Sequence, residues 1–284
     1  PEAGSDIAAH AAGRDPPARL RPSATFAAAI AGAAPAVEQV FVGDIAAVPE
    51  ARAAFPSALV AHADEDEWPI DLDALFEGAL APVVPLDEGG SIRIDATAAA
   101  TLIDVDSGSP PTGSPERTAL AANLKAALVI AREIRRRSLG GGIVVDFVGL
   151  DRPALRERVR LALAEALAPD PAQPRILGWT RLGHLELVRP RRRRPLAETL
   201  LDLETSAPRK TAPTVAYEAL RALQREARAA PGRQWRLIVA ADVAAALADA
   251  AAGAVHGLER RFGRKVAIEI GPARSRERFE IAAL

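Results

Sequence analysis

Two stretches of this chain run from glycine through β-branched and aliphatic residues to aspartate. GGSIRIDATAAATLIDVDSG (Gly89 to Gly108) ends on Asp104 and Asp106, and GGGIVVDFVGL (Gly140 to Leu150) carries Asp146. A carboxylate buried alone at the end of an apolar strand is costly to desolvate. Several of them converging on one sheet edge point to a shared cation. A right-handed crossover through the intervening helix would place the strands of Asp104 and Asp146 parallel and adjacent. Ligands of such sheets gather at the carboxyl ends of the strands. The cation these oxygens suit is Mg²⁺, which characteristically takes one or two carboxylates, water and a substrate phosphate. There it stabilises charge on a scissile phosphate and activates water. The other reading of the same spacing is a pair of helix or turn caps. Asp106 lies two residues beyond Asp104, on the same side of an extended chain. It reads either as a further site carboxylate that positions water or as the turn aspartate before Ser107–Gly108.

The second chemical feature is cationic. Arg181, Arg189 and the run Arg191, Arg192, Arg193 and Arg194 concentrate guanidinium groups that can grip phosphate bidentately. With 36 basic and 37 acidic residues the total charge indicates no partner, so the local concentration carries the signal. It suits a polyanion such as RNA, against the alternative of a solvated strand tail. Trp179 offers either a stacking surface for a base or a core residue. His10, His62, His184 and His256 are scattered, with no Ser-His-Asp or metal-histidine arrangement. The acidic cluster Asp64 to Glu67 reads as a solvated loop. No G-x-x-x-x-G-K-[ST] phosphate loop occurs.

These residues need a scaffold, and the composition allows one. A chain of 284 residues, 49% hydrophobic and 26% charged, is of ordinary globular type and long enough for more than one core. Cysteine is absent, which excludes disulfides and thiolate zinc sites. No apolar run reaches membrane-spanning length and no secretory signal is visible, so no membrane partner and a cytoplasmic location are expected. The patterns predict strands at Val37–Val42 and Ser57–Ala61, with helices near Pro49–Phe55 and Asp71–Leu80. Further strands are expected at Ser91–Asp95 and Ala99–Val105. A long helix follows from Pro115, with Ser114 as its cap and Leu120, Leu124, Ala127, Ala131 and Ile134 as its apolar stripe. Ile143–Val148 reads as a fully buried strand. Asp151 is placed as the cap of a helix over Pro153–Ala168. Arg175–Trp179 and His184–Val188 read as strands, and Ala197–Leu203 as helical. After SAPRKTAP (Ser206 to Pro213) comes a second α/β unit of helices, a strand, helices and two strands.

At these residues the chain resembles the ribonuclease E/G family of bacterial endoribonucleases. The matching segments are GGSIRIDATAAATLIDVDSG, ERTALAANLKAALVIAREIRRRSLGGGIVVDFVGL, ILGWTRLGHLELVRPRRRRPLAETL and RFGRKVAIEIGPARSRERFEI. They are colinear, and the likeness runs from about Val37 to Leu284. The resemblance implies Mg²⁺-dependent cutting of single-stranded RNA, often AU-rich, that leaves 5′-phosphate and 3′-hydroxyl ends. The metal-holding aspartates fall on Asp104 and Asp146, a supporting asparagine falls on Asp106, and the arginine of the ILGWTRLG segment falls on Arg181. The expected fold is α/β (α+β): a ribonuclease H-like remnant (35–85), a DNase I-like nuclease subdomain (86–205), a linker (206–212) and a small C-terminal α/β domain (213–284), after a loose lead-in (1–34). Relative to the family this chain is expected to be a short form, lacking the upstream RNA-binding barrel and 5′-end pocket. Without the zinc-link cysteines no zinc-bridged dimer is expected, and a homo-oligomer stays open. The rival reading is an RNA-binding homologue with weak or no catalytic activity.

Overall fold

A computed structural model describes residues 25–32, 37–87, 89–108, 114–203, 208–271 and 274–284. Most of the expected lead-in, parts of the expected linker and the Ser109–Gly113 part of the turn after Asp106 lie outside them. The fold is mixed α/β, and the chain divides into two compact units, 1–69 and 70–284.

In the first unit, α1 (Phe26–Ala31) precedes β1 (Gln39–Val42), α2 (Val48–Ala54) and β2 (Leu59–His62). The two strands pair in parallel around a small core of Val48, Ala51 and Val60. Asp64 to Glu67, the acidic cluster, forms a 3₁₀ turn in which the Glu67 carboxylate accepts from the Asp64 N–H at 3.0 Å. It is turn chemistry, as its composition predicts.

The second unit begins with α3 (Leu72–Leu80) and builds a six-stranded sheet from β3 (Val83–Pro85), β4 (Ser91–Ala96), β5 (Ala100–Asp106), β6 (Gly141–Asp146), β7 (Arg175–Trp179) and β8 (Leu185–Arg189). The spatial order is β3-β4-β5-β6-β8-β7, and β5–β6 is its one parallel pair. The crossover between them is α4 (Pro115–Arg136), with α5 (Pro153–Leu167) packed along it. Strand side chains alternate between faces. Ile92, Ile94, Ile103, Val105, Ile143, Val145, Leu185 and Leu187 all turn inward and are buried beneath Ala126, Ala127, Ile130 and Ile134 of α4 and Val159 and Leu163 of α5. Each such isoleucine or leucine contributes about 1.5–3 kcal/mol by leaving water. The alanines let α4 lie close to the sheet.

β6 departs from the expected fully buried strand. Val144 is half-buried and Asp146 exposed, because helices cover one face of the sheet only. Ser114 holds the cap position of α4 as expected, without a side-chain cap bond, whereas Arg152 rather than the expected Asp151 holds that of α5, also without one. The predicted helix Ala197–Leu203 is the shorter α6 (Leu196–Leu200), followed by β9 (Leu201–Asp202), which pairs with β10 (Arg209–Lys210).

Then come α7 (Ala212–Ala229), β11 (Trp235–Val239), α8 (Ala241–Ala248), α9 (Ala252–Phe262), β12 (Ala267–Ile270) and β13 (Glu280–Ala283). Their sheet has the order β12-β11-β13, with a core of Val215, Leu220, Leu223, Leu237, Val239, Val243 and Leu247. Arg221 and Arg225 of α7 grip Asp73 of α3 at 2.6 and 2.9 Å. Among the described residues no helix is long and apolar enough to cross a membrane.

One buried ion pair anchors the end of β8. Asp170 is 2% exposed and receives Arg189 at 2.7 and 3.1 Å and the Ala172 N–H at 2.9 Å. Burial pushes its carboxyl up, but Arg189 and that N–H outweigh it and hold the group below its ordinary value. A carboxyl depressed in the folded state contributes stability above its unfolded pKa of about 4, and that contribution fades as pH falls through the folded value. Arg189→Ala, which strands the charge, is expected to cost about 3–5 kcal/mol in urea unfolding at pH 7. The deficit should narrow as pH is lowered below about 4.

Candidate active site

The site is fixed by strand register. Asp104 on β5 and Asp146 on β6 are direct partners in the parallel pairing, on backbones about 5 Å apart. Their neighbours Ile103, Val105 and Val145 all face the core, so both carboxylates project from the open face. The antiparallel pairing of β4 with β5 sets Arg93 beside Asp104 on the other side. Like charges placed side by side across strands destabilise a sheet, and a bound cation between them reverses that sign.

Asp106 shares the face but is partly committed to a turn. Its Oδ1 accepts the Gly108 N–H at 2.8 Å. Gly90 packs against the same corner at φ 87°, and a Cβ there would stand 2.5 Å from the Asp106 carbonyl oxygen. Only glycine fits so close an approach in that conformation, which explains the glycines flanking the first motif.

Arg181 lies in the turn between β7 and β8, organised by Thr180. The Thr180 hydroxyl accepts the N–H groups of Leu182 and His184, both at 3.2 Å, and the Thr180 N–H donates to the His184 carbonyl at 2.8 Å. Leu185 pairs with Val145, so this turn stands at the Asp146 end of the sheet. Arg181 is exposed there, beside Leu182, which is 83% exposed. Trp179 packs on Phe147 with ring centroids 6.0 Å apart and lies under Arg156, at the rim of the core.

The other arginines leave the sheet at its opposite end. Arg189 pairs with Gly141, and Gly141 and Asp146 bound β6, about 16 Å apart at the rise of a strand. Arg189 itself is built into the fold through Asp170 and the Leu139 carbonyl at 2.8 Å, so its guanidinium does not face the open surface. Arg191 packs across Gly140 and Gly141, where a Cβ would meet its side chain at 2.8 Å in both cases. Arg192 and Arg193 are exposed, and Arg194 donates to the Glu198 carbonyl at 3.0 Å.

Residues 60–192 match the Ribonuclease E/G family. Ribonuclease G of Salmonella typhimurium (strain SL1344) is 30% identical over 219 residues, 75% of this chain and 45% of that protein. The chain belongs to the ribonuclease E/G family. Ribonuclease E of Haemophilus influenzae is 31% identical over 218 residues, covering 75% of this chain and 23% of the relative. Ribonuclease E of Nostoc sp. (strain PCC 7120) is 38% identical over 152 residues, covering 52% and 22%. The chain thus spans less than half the length of these curated relatives.

Two side chains at the site were not singled out from spacing. His184 brings its Nε2 to 3.6 Å from Asp146 Oδ1. Asn123 of α4 is fully buried and clamps the segment after β6, donating to the Val148 carbonyl at 2.8 Å and accepting its N–H at 3.0 Å. An amide interrupting the apolar stripe between Leu120 and Leu124 is the signal that could have found it. Among the described residues no group of three or more His, Asp or Glu side chains is gathered for a closed metal cage. The donor set of this ribonuclease E/G chain is instead an open pair of carboxylates, which fits Mg²⁺, an ion that keeps water and takes phosphate oxygens.

Asn123→Leu leaves two backbone groups without partners. It is expected to cost about 1–3 kcal/mol and to speed hydrogen exchange at the Val148 amide; unchanged exchange there would remove Asn123 from the support of this loop.

Proposed function

We propose that this chain is a Mg²⁺-dependent endoribonuclease that hydrolyses phosphodiester bonds of single-stranded RNA in RNA processing and decay. The observation that carries the proposal is the register pairing of Asp104 with Asp146 on one open sheet face, in a chain of the ribonuclease E/G family. When bound there, the metal would supply electrostatic stabilisation of the scissile phosphate and a lowered pKa for water.

The chain's own residues do the rest. Asp104 and Asp146 hold the cation from adjacent strands, and the register sets their spacing. Asp106, with one oxygen on the Gly108 N–H, keeps its second oxygen for orienting solvent at the strand ends. Arg181 binds a phosphate on the Asp146 side, carried by the turn that Thr180 fixes. Arg191 to Arg194 bind phosphates at the far end of β6, so that an extended strand lies across the open face between the two cationic sites. Arg189, committed to Asp170, takes no part in phosphate binding. An unpaired strand suits a flat face, because its backbone can approach carboxylates that stand directly on the strands.

The test is cleavage of a short single-stranded RNA, with Mg²⁺ and with EDTA. Wild type is expected to cut only with Mg²⁺, and Asp104→Asn and Asp146→Asn should each slow the cut by about 100-fold or more. Wild type that binds RNA yet makes no Mg²⁺-dependent cut would instead establish the RNA-binding homologue with weak or no catalysis. Replacing Arg191 to Arg194 with alanine is expected to weaken RNA binding and flatten its salt dependence, by a slope of about 1 for each phosphate no longer neutralised.

A further inference from the structure

We propose that His184 is a positioning residue for Asp146, holding one oxygen of that carboxylate so that the other is turned toward the cation position shared with Asp104. The inference rests on the metal-dependent reading given above.

The sheet order places β6 between β5 and β8. Because Val145 pairs with Leu185, the next residue on β6, Asp146, stands opposite His184. Asp146 therefore has Asp104 on one flank and His184 on the other. The imidazole Nε2 is 3.6 Å from Asp146 Oδ1, and the two side chains are 33% and 57% exposed, so the ring supports the carboxylate from one side without closing it off. The ring's backbone is fixed in both directions by Thr180, through the His184 N–H on the Thr180 hydroxyl and the Thr180 N–H on the His184 carbonyl. Among the described residues neither Asp104 nor Asp146 has an arginine or lysine ion pair, and His184 is the basic side chain beside Asp146. A separation of 3.6 Å is longer than a hydrogen bond, and such supports tighten when the site is filled. Carboxylates that ligate metals are commonly held by a second donor in this way, and losing that donor typically costs about 10–100-fold in metal affinity.

The experiment titrates Mn²⁺ into the full chain, follows free Mn²⁺ by electron paramagnetic resonance, and competes with Mg²⁺. The proteins are wild type, His184→Leu, His184→Gln and Asp104→Asn, each checked by thermal melting and by RNA affinity in EDTA. His184→Leu is expected to weaken Mn²⁺ binding by about 10-fold or more, with melting and EDTA-phase RNA affinity unchanged. His184→Gln, which keeps an N–H donor, should recover most of the loss. The inference is overturned, with the metal reading intact, if Asp104→Asn loses Mn²⁺ while His184→Leu binds as wild type does. It is equally overturned if a folded His184→Gln is as impaired as His184→Leu. If wild type itself binds no Mn²⁺ that Mg²⁺ can displace, the metal reading fails and the inference fails with it.

Discussion

The parallel pairing of β5 with β6 governs where the two facing carboxylates of the candidate site stand. A one-residue slip in a strand turns each side chain to the other face, and here it would bring Asp104 or Asp146 under the helices and expose isoleucine or valine. Ile103, Val105, Ile143 and Val145 resist the slip because their burial beneath α4 is complete or nearly so. The hydrophobic effect thus fixes the placement of two charged groups that take no part in the core. Asn123 extends the same control past the end of β6, since the helix that covers the sheet also holds the Val148 backbone.

The protein treats its carboxylates in two ways. Those inside are neutralised by arginine. Glu133 is fully buried and meets Arg136 at 2.6 Å and Arg137 at 2.9 Å, and Asp170 meets Arg189. Those on the open face, Asp104 and Asp146, are left with water, with Arg93 as a strand neighbour and His184 at the rim. Solvent lowers the repulsion of the exposed pair. Their adjacency is tolerable in the free protein for that reason.

Much of this was legible in the residues. The period-2 patterns of SIRIDA and TLIDVD and the helical period from Leu120 to Ile134 pointed to the sheet and its crossover, because burial on a single face writes those periods into the sequence. The turn of β6 toward solvent was not legible. GGIVVD reads as continuous apolar chain, and only the uncovered face shows that Val144 and Asp146 point outward. His184 could not be found by spacing, since it meets Asp146 through an antiparallel neighbour rather than through a motif. The arginine run was read as one feature, but the fold divides it. Arg189 falls on the inward phase of β8 and finds a buried carboxylate, whereas Arg191 to Arg194 follow Pro190 beyond the last ladder bond.

That division has a consequence for how a polyanion would be received. Arginine side chains on a loose tail lose much of their conformational freedom on binding, and that loss opposes affinity. Here the guanidinium of Arg189 nails the strand terminus to the interior, and the side chain of Arg191 packs against two glycines. The exposed cations that follow therefore depart from a rigid post, partly preorganised before any ligand arrives, and a smaller entropy loss is left for the encounter.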